Sequence, residues 1–121
     1  MFFRKITREL KKWKLQSNGK TALLIEGARR VGKSTVVEEF AKNEYRSYIL
    51  IDFAEAPLDI QELFSDTSNL DYIFLQLQLC YSVQLFERES LIIFDEVQLC
   101  PSARQAIKQL VKDGRYDYIE T

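Results

Sequence analysis

Residues 27–35, GARRVGKST, combine glycine, lysine and serine at the spacing of a phosphate-binding loop. Gly27, Gly32, Lys33 and Ser34 satisfy the pattern GxxxxGK[ST] in full. Glycines let a loop curl so that its backbone N–H groups and the next helix N-terminus hold an anionic phosphate. The lysine reaches the β- and γ-phosphates, and the serine hydroxyl is a ligand for Mg²⁺. The motif therefore predicts a nucleotide site.

The variable part of this loop contains two arginines, Arg29 and Arg30. We expect them to be solvated, although either could contact phosphate or reach a neighbouring subunit. The predicted nucleotide-binding residues are Gly27, Ala28, Arg29, Arg30, Val31, Gly32, Lys33, Ser34 and Thr35.

A second motif lies at residues 91–96, LIIFDE, where an apolar run ends in two adjacent acidic residues. Asp95 is placed to hold Mg²⁺ together with Ser34, and Glu96 to polarise the water that attacks the γ-phosphate. The alternative is a strand that ends in two solvated acids. Beside an intact phosphate loop we favour the catalytic interpretation, with Lys33 and Glu96 as catalytic residues and ATP or ADP with Mg²⁺ as ligands.

The adjacent acidic residues Asp95 and Glu96 also favour an ATPase over a small-molecule kinase or a GTPase. A small-molecule kinase does not need the water-activating base that Glu96 would provide. The segment DEVQ lacks the glycine of a DxxG switch, and no NKxD motif is present, so ATP is favoured over GTP.

The order of apolar and helical patterns predicts an α/β fold with a parallel sheet. We expect strands at 21–26, 46–53, 91–94 and 116–120, and helices at 32–43 and 101–113, the latter ended by Gly114. Most of 57–89 reads as two helices, the second capped by Ser68 or Asn69. Asp52 is expected to serve a turn, and the aromatic residues to pack in the core.

The N-terminal segment concentrates positive charge. Seven of the first twenty residues are Lys or Arg and one is acidic, although the net charge of the chain is −1. Phe3, Ile6, Leu10 and Trp13 recur at helical spacing, which predicts an amphipathic helix packed on the core. Binding of nucleic acid or acidic lipid by its basic face is the alternative.

The 121 residues are enough for one domain. Cys80 and Cys100 lack metal-site spacing, so we expect reduced core cysteines. No signal-like or membrane-spanning run is present, which favours a cytoplasmic protein.

The segments LLIEGARRVGKSTVVEEFAKNEYRSYILIDF and SLIIFDEVQLCPSARQAIKQLVKDGRYDYIET, with FRKITRELKKWK before them, resemble prokaryotic AAA-type ATPases that carry a C-terminal domain of unknown function. The resemblance covers nearly the whole chain. It implies a three-layer P-loop NTPase fold with the fourth strand between the first and third. It also implies a nucleotide site at 27–35, Mg²⁺ at Ser34 and Asp95, and catalysis by Glu96. Gln98 is typical of the family and is expected to couple the site to a neighbouring element.

The chain departs from that pattern at its end. A polar sensor is expected at the tip of the fourth strand, where Thr121 stands as a terminal residue that we expect to fray. A fifth strand and a helical lid are absent, which predicts a truncated ATPase core at 19–121 with the basic helix at 1–18 packed on it. We expect the first strand to be an exposed sheet edge.

Two hypotheses follow: an ATPase domain of a larger protein, acting with a homo-oligomer or a missing C-terminal half, and a nucleotide-binding or interaction fragment without useful turnover.

Overall fold

A computed structural model describes residues 2–26 and 32–121 of the chain. The element order is α1 (Phe2–Ser17), β1 (Leu23–Leu24), α2 (Lys33–Glu44), β2 (Ser47–Asp52), α3 (Leu58–Leu63), α4 (Leu70–Tyr81), β3 (Ser90–Asp95), a 3₁₀ turn (Val97–Leu99), α5 (Pro101–Asp113) and β4 (Asp117–Glu120). The four strands are parallel in the order β1-β4-β3-β2. The expected α/β fold, with the fourth strand between the first and third, is confirmed.

Strand β3 lies in the middle of three layers, and all six of its residues are buried. Its alternate side chains enter two cores, Ile92 and Phe94 on the side of α3, α4 and α5, and Leu91 and Ile93 on the side of α1 and α2. Burial on both faces explains why the strand is a continuous apolar run rather than an alternating one.

The end of β3 is fixed by an aromatic cluster. The Phe94 ring lies 5.2 Å from that of Phe64 and 5.6 Å from that of Phe53, both in edge-to-face geometry. Removing such a buried ring costs about 3–5 kcal/mol of folding free energy. This packing holds the following residue, Asp95, in place.

Helix α1 is amphipathic, as its periodicity predicts. Leu10 is buried, and Ile6 and Trp13 pack against the core that α2 also lines. Most of its basic side chains, including Lys5, Lys11 and Lys12, are exposed. The part of the prediction that concerns the Phe3 side chain lies outside the described side chains.

Strand β1 is shorter than the predicted 21–26: Leu23 and Leu24 pair with β4, and one further backbone hydrogen bond runs from the Ile25 N–H to Glu120 O at 2.8 Å. It lies at the edge of the described sheet, and Leu24 is 41% exposed. The predicted exposed edge is therefore present.

The two helices predicted within 57–89 are present as α3 and α4, with a break at 64–69. The second helix ends at Tyr81, because Ser82 adopts a left-handed conformation (φ 54°), and the Leu85 N–H donates to Gln78 Oε1 at 2.8 Å. One further expectation is wrong. Cys80 is exposed on α4 rather than buried, whereas Cys100 is buried as expected, and both are free thiols. The predicted Asn69 cap is confirmed by a 3.1 Å hydrogen bond from the Tyr72 N–H to its side chain.

Candidate nucleotide site

The start of α2 and the end of β3 bring together two residues that are 61 positions apart. Ser34 Oγ donates to the Asp95 carboxylate, at 3.1 Å from Oδ1 and 3.2 Å from Oδ2. Ser34 is the second residue of α2, and Asp95 is the last residue of β3. The carboxyl end of a parallel strand and a helix N-terminus thus meet, as they do at ligand sites of α/β sheets.

Thr121, which directly follows β4, also belongs to this cluster. Its backbone N–H donates to Phe94 O at 2.9 Å, and its hydroxyl donates to Asp95 Oδ1. The side chain is only 5% exposed. The expectation that Thr121 frays is wrong, because these hydrogen bonds fix it beside Asp95.

Glu96 begins the turn that follows β3. Its backbone is left-handed, with φ 55°, and its carbonyl accepts from the Leu99 N–H at 3.0 Å. A non-glycine residue in this conformation is uncommon and costs about 1 kcal/mol or more. Gln98 Nε2 donates to Glu96 Oε2 at 2.5 Å, so the Gln98 amide orients this carboxylate.

A family model described as an AAA domain matches residues 19–121 of the chain. The chain belongs to the AAA domain family. No curated protein and no solved structure matches it. Members of this family are nucleotide-binding ATPases with a P-loop, which fits the parallel sheet and the GxxxxGK[ST] motif.

Within the AAA domain, the loop itself is only partly described. Gly27, Ala28, Arg29, Arg30 and Val31 lie outside the described residues. Gly32 precedes α2 with φ 70°, a left-handed conformation that glycine adopts without steric cost. Lys33 is the first residue of α2, half-buried, and Thr35 is exposed two positions later.

A cavity of about 260 Å³ opens beside the cluster at the ends of β1 and β4 of the AAA domain. Lys33, Gln98, Arg104 and Thr121 line it, together with the exposed Glu26. Lys33 and Arg104 bring two positively charged side chains to the cavity, which suits an anion.

Thr35 lines a different space, a groove of about 480 Å³ between α1 and α2. Val36, Phe40, Thr7 and Asn43 also line this groove.

Asp52 lies opposite Asp95 in the register of β2 and β3, but its carboxylate stabilises a turn. Asp52 Oδ1 accepts from the Ala54 N–H at 3.0 Å, and the Asp52 carbonyl accepts from the Ala56 N–H at 2.8 Å. The predicted turn role is confirmed.

Sequence reasoning missed Arg104 of α5 and Glu120 of β4. Arg104 Nε lies 4.0 Å from Glu120 Oε1. Burial raises the pKa of the Glu120 carboxyl, and the charge of Arg104 partly offsets that increase. In the sequence Arg104 is a lone arginine on the polar face of a helix, so no pattern singles it out.

Oxygen donors of the kind that Mg²⁺ prefers are present in the AAA domain. Ser34 contributes a hydroxyl and Asp95 a carboxylate that is 8% exposed and is held by hydroxyl groups. This donor set fits Mg²⁺, which commonly takes one or two protein ligands and keeps several waters. Among residues 2–26 and 32–121, no group of three or more His, Cys, Asp and Glu is arranged to hold a metal ion by itself. None of the helices in the described ranges has both the length and the apolar character needed to cross a membrane.

Proposed function

We propose that this AAA domain binds ATP with Mg²⁺ and hydrolyses it to ADP and phosphate, as part of a larger AAA-type ATPase. The observation that carries the proposal is the meeting of Ser34, Asp95 and Thr121 beside Lys33. These groups come from three separate parts of the fold. They supply the charge and the oxygen ligands with which proteins bind a nucleoside triphosphate and its Mg²⁺.

The binding half of the proposal rests on residues 27–35. Their backbone N–H groups and the N-terminus of α2 would hold the phosphates, and Lys33 would neutralise the β- and γ-phosphates. Ser34 and Asp95 would hold Mg²⁺, which when bound neutralises charge that develops on the phosphates.

The chemical step would use the chain's own carboxylate. Glu96 takes a proton from a water molecule, the water oxygen forms a bond to the γ-phosphorus, and the bond from that phosphorus to the β–γ bridging oxygen breaks. ADP keeps the bridging oxygen, and the γ-phosphate leaves as inorganic phosphate. Gln98 would keep the Glu96 carboxylate oriented, and the Thr121 hydroxyl would contact the γ-phosphate or its attacking water.

Phosphate release from ATP, followed with and without Mg²⁺, tests this proposal. Wild-type protein should release phosphate only with Mg²⁺, and Glu96→Gln should bind ATP as tightly while losing turnover by about 100-fold or more. Glu62→Gln, which changes an exposed glutamate on α3, is the matched control and should keep the wild-type rate. Turnover of Glu96→Gln at the wild-type rate would contradict the catalytic assignment. Nucleotide binding without any phosphate release would instead support the alternative of a binding fragment.

A further inference from the structure

The cavity beside Thr121 contains a second cationic side chain in addition to Lys33. Lys33 comes from α2, Arg104 from the first turns of α5, and Thr121 from the end of β4. An ammonium and a guanidinium that face one small space make it a site for a strongly charged anion. Glu26 also lines the cavity, but it is exposed, so solvent screens its charge.

The position of the cavity indicates which phosphate it would receive. Gln98 lines the cavity and donates to Glu96, the proposed base for the attacking water. Thr121 also lines it and donates to Asp95, a proposed Mg²⁺ ligand. The attacked group is the γ-phosphate, so the cavity lies on the side of the site where that phosphate must stand.

Arg104 is held only loosely in its present position. Its side chain is 53% exposed, and its Nε lies 4.0 Å from Glu120 Oε1, at the outer limit for an ion pair. The guanidinium end of this pair is exposed and the contact is long, so its attraction to Glu120, whose side chain is 14% exposed, is weak. A phosphate group, in contrast, can accept two charge-assisted hydrogen bonds from the guanidinium.

We infer that Arg104 binds the γ-phosphate of ATP within the same chain, and that it makes the site discriminate ATP from ADP. This inference rests on the proposed function. The long contact with Glu120 keeps the guanidinium beside the cavity without fixing it. Because ADP lacks the γ-phosphate, Arg104 adds affinity for ATP alone.

Dissociation constants of AMP-PNP, a slowly hydrolysed ATP analogue, and of ADP test the inference with the full chain. Arg104→Gln should weaken AMP-PNP binding by about tenfold or more and change ADP binding less than about twofold. Arg104→Lys, which keeps the charge but not the planar fork, should give an intermediate loss. Lys108→Gln is the matched control, because it removes one exposed positive charge from the next turn of α5.

Each alternative result has a distinct meaning. An unchanged affinity in Arg104→Gln, an equal loss for both nucleotides, or an equal loss in Lys108→Gln overturns the inference while leaving the proposed function intact. Failure of the wild-type chain to bind either nucleotide, with no difference from Lys33→Ala, overturns the proposed function and the inference with it. Thermal unfolding of each variant confirms that the fold is retained, as expected for an exposed side chain.

Discussion

The Thr121 hydroxyl donates to Asp95 Oδ1, the same carboxylate that accepts from Ser34 Oγ. Thr121 directly follows β4, and Asp95 is the last residue of β3, so the hydrogen bond joins the carboxyl ends of two neighbouring strands. It links the proposed Mg²⁺ ligand to the residue at the position expected for a polar sensor.

Removal of the Thr121 hydroxyl should affect turnover more than binding. Thr121→Val keeps the shape of the side chain but cannot donate to Asp95 or to phosphate, so we expect kcat to fall by about tenfold with the Kd of ATP nearly unchanged. Thr121→Ser keeps the hydroxyl and should retain most activity. Equal kcat values for Thr121→Val and wild type would show that the hydroxyl has only a structural role.

The Gln98 amide should act through Glu96. Gln98→Leu removes the donor to Glu96 Oε2 while keeping a side chain of similar size. We expect kcat to fall and ATP affinity to stay within about twofold, because the carboxylate loses its fixed orientation but the phosphate contacts remain. Gln98→Asn, which retains an amide on a shorter stem, should fall between Gln98→Leu and wild type. A Gln98→Leu variant with weakened binding and normal kcat would contradict this positioning role.

Alkaline pH should reveal the half-buried hydrogen bond between Tyr45 and Asp117. The Tyr45 hydroxyl donates to Asp117 Oδ2 at 2.5 Å, and Arg88 donates to the other carboxylate oxygen at 2.7 Å. Burial and then the hydrogen bond to Asp117 raise the pKa of Tyr45 above its ordinary value of about 10. The stabilisation is therefore fully present below pH ~10 and is lost as pH rises further, since the unfolded tyrosine ionises first.

Urea unfolding at a series of pH values tests this effect. Tyr45→Phe should lower the free energy of unfolding by about 1–2 kcal/mol at neutral pH and make the alkaline decline shallower. A decline above pH ~10 as steep in Tyr45→Phe as in wild type would exclude Tyr45 as its source.

The edge strand β1 should promote self-association. Its Leu24 side chain is 41% exposed, and apolar edge strands are templates for pairing with other chains. Leu24→Lys should reduce the apparent mass in light scattering at high protein concentration. Leu15→Lys changes an even more exposed leucine on α1, away from the sheet edge, and should have little effect. A similar reduction in both variants would point to general solubility rather than edge pairing.

The strand tips could be located from the sequence, because apolar runs ending in acidic residues mark buried parallel strands. This reasoning placed Asp95 at the end of β3, and the separate preference of glycine for helix C-termini placed Gly114 at the end of α5. The contact of Ser34 with Asp95 depends on strand order, which the family resemblance supplied and periodicity did not.

Other features depend on tertiary contacts that no local pattern records. Thr121 looks like a fraying terminal residue, but hydrogen bonds to β3 hold it in place. Residues 82–89 belong to a stretch predicted as mostly helical, yet Ser82 adopts a left-handed conformation that ends α4, and the Gln78 side chain accepts a hydrogen bond from the Leu85 N–H. Arg104 becomes notable only when folding brings it to the cavity beside Lys33.

The central claim is that Lys33 belongs to an ATP site, and equilibrium titration with a fluorescent ATP analogue in the presence of Mg²⁺ tests it most directly. The account predicts saturable binding by the wild-type chain, displaced by unlabelled ATP, and its loss in a folded Lys33→Ala variant. Binding of equal affinity in Lys33→Ala, or no binding by the folded wild-type chain, would contradict the account.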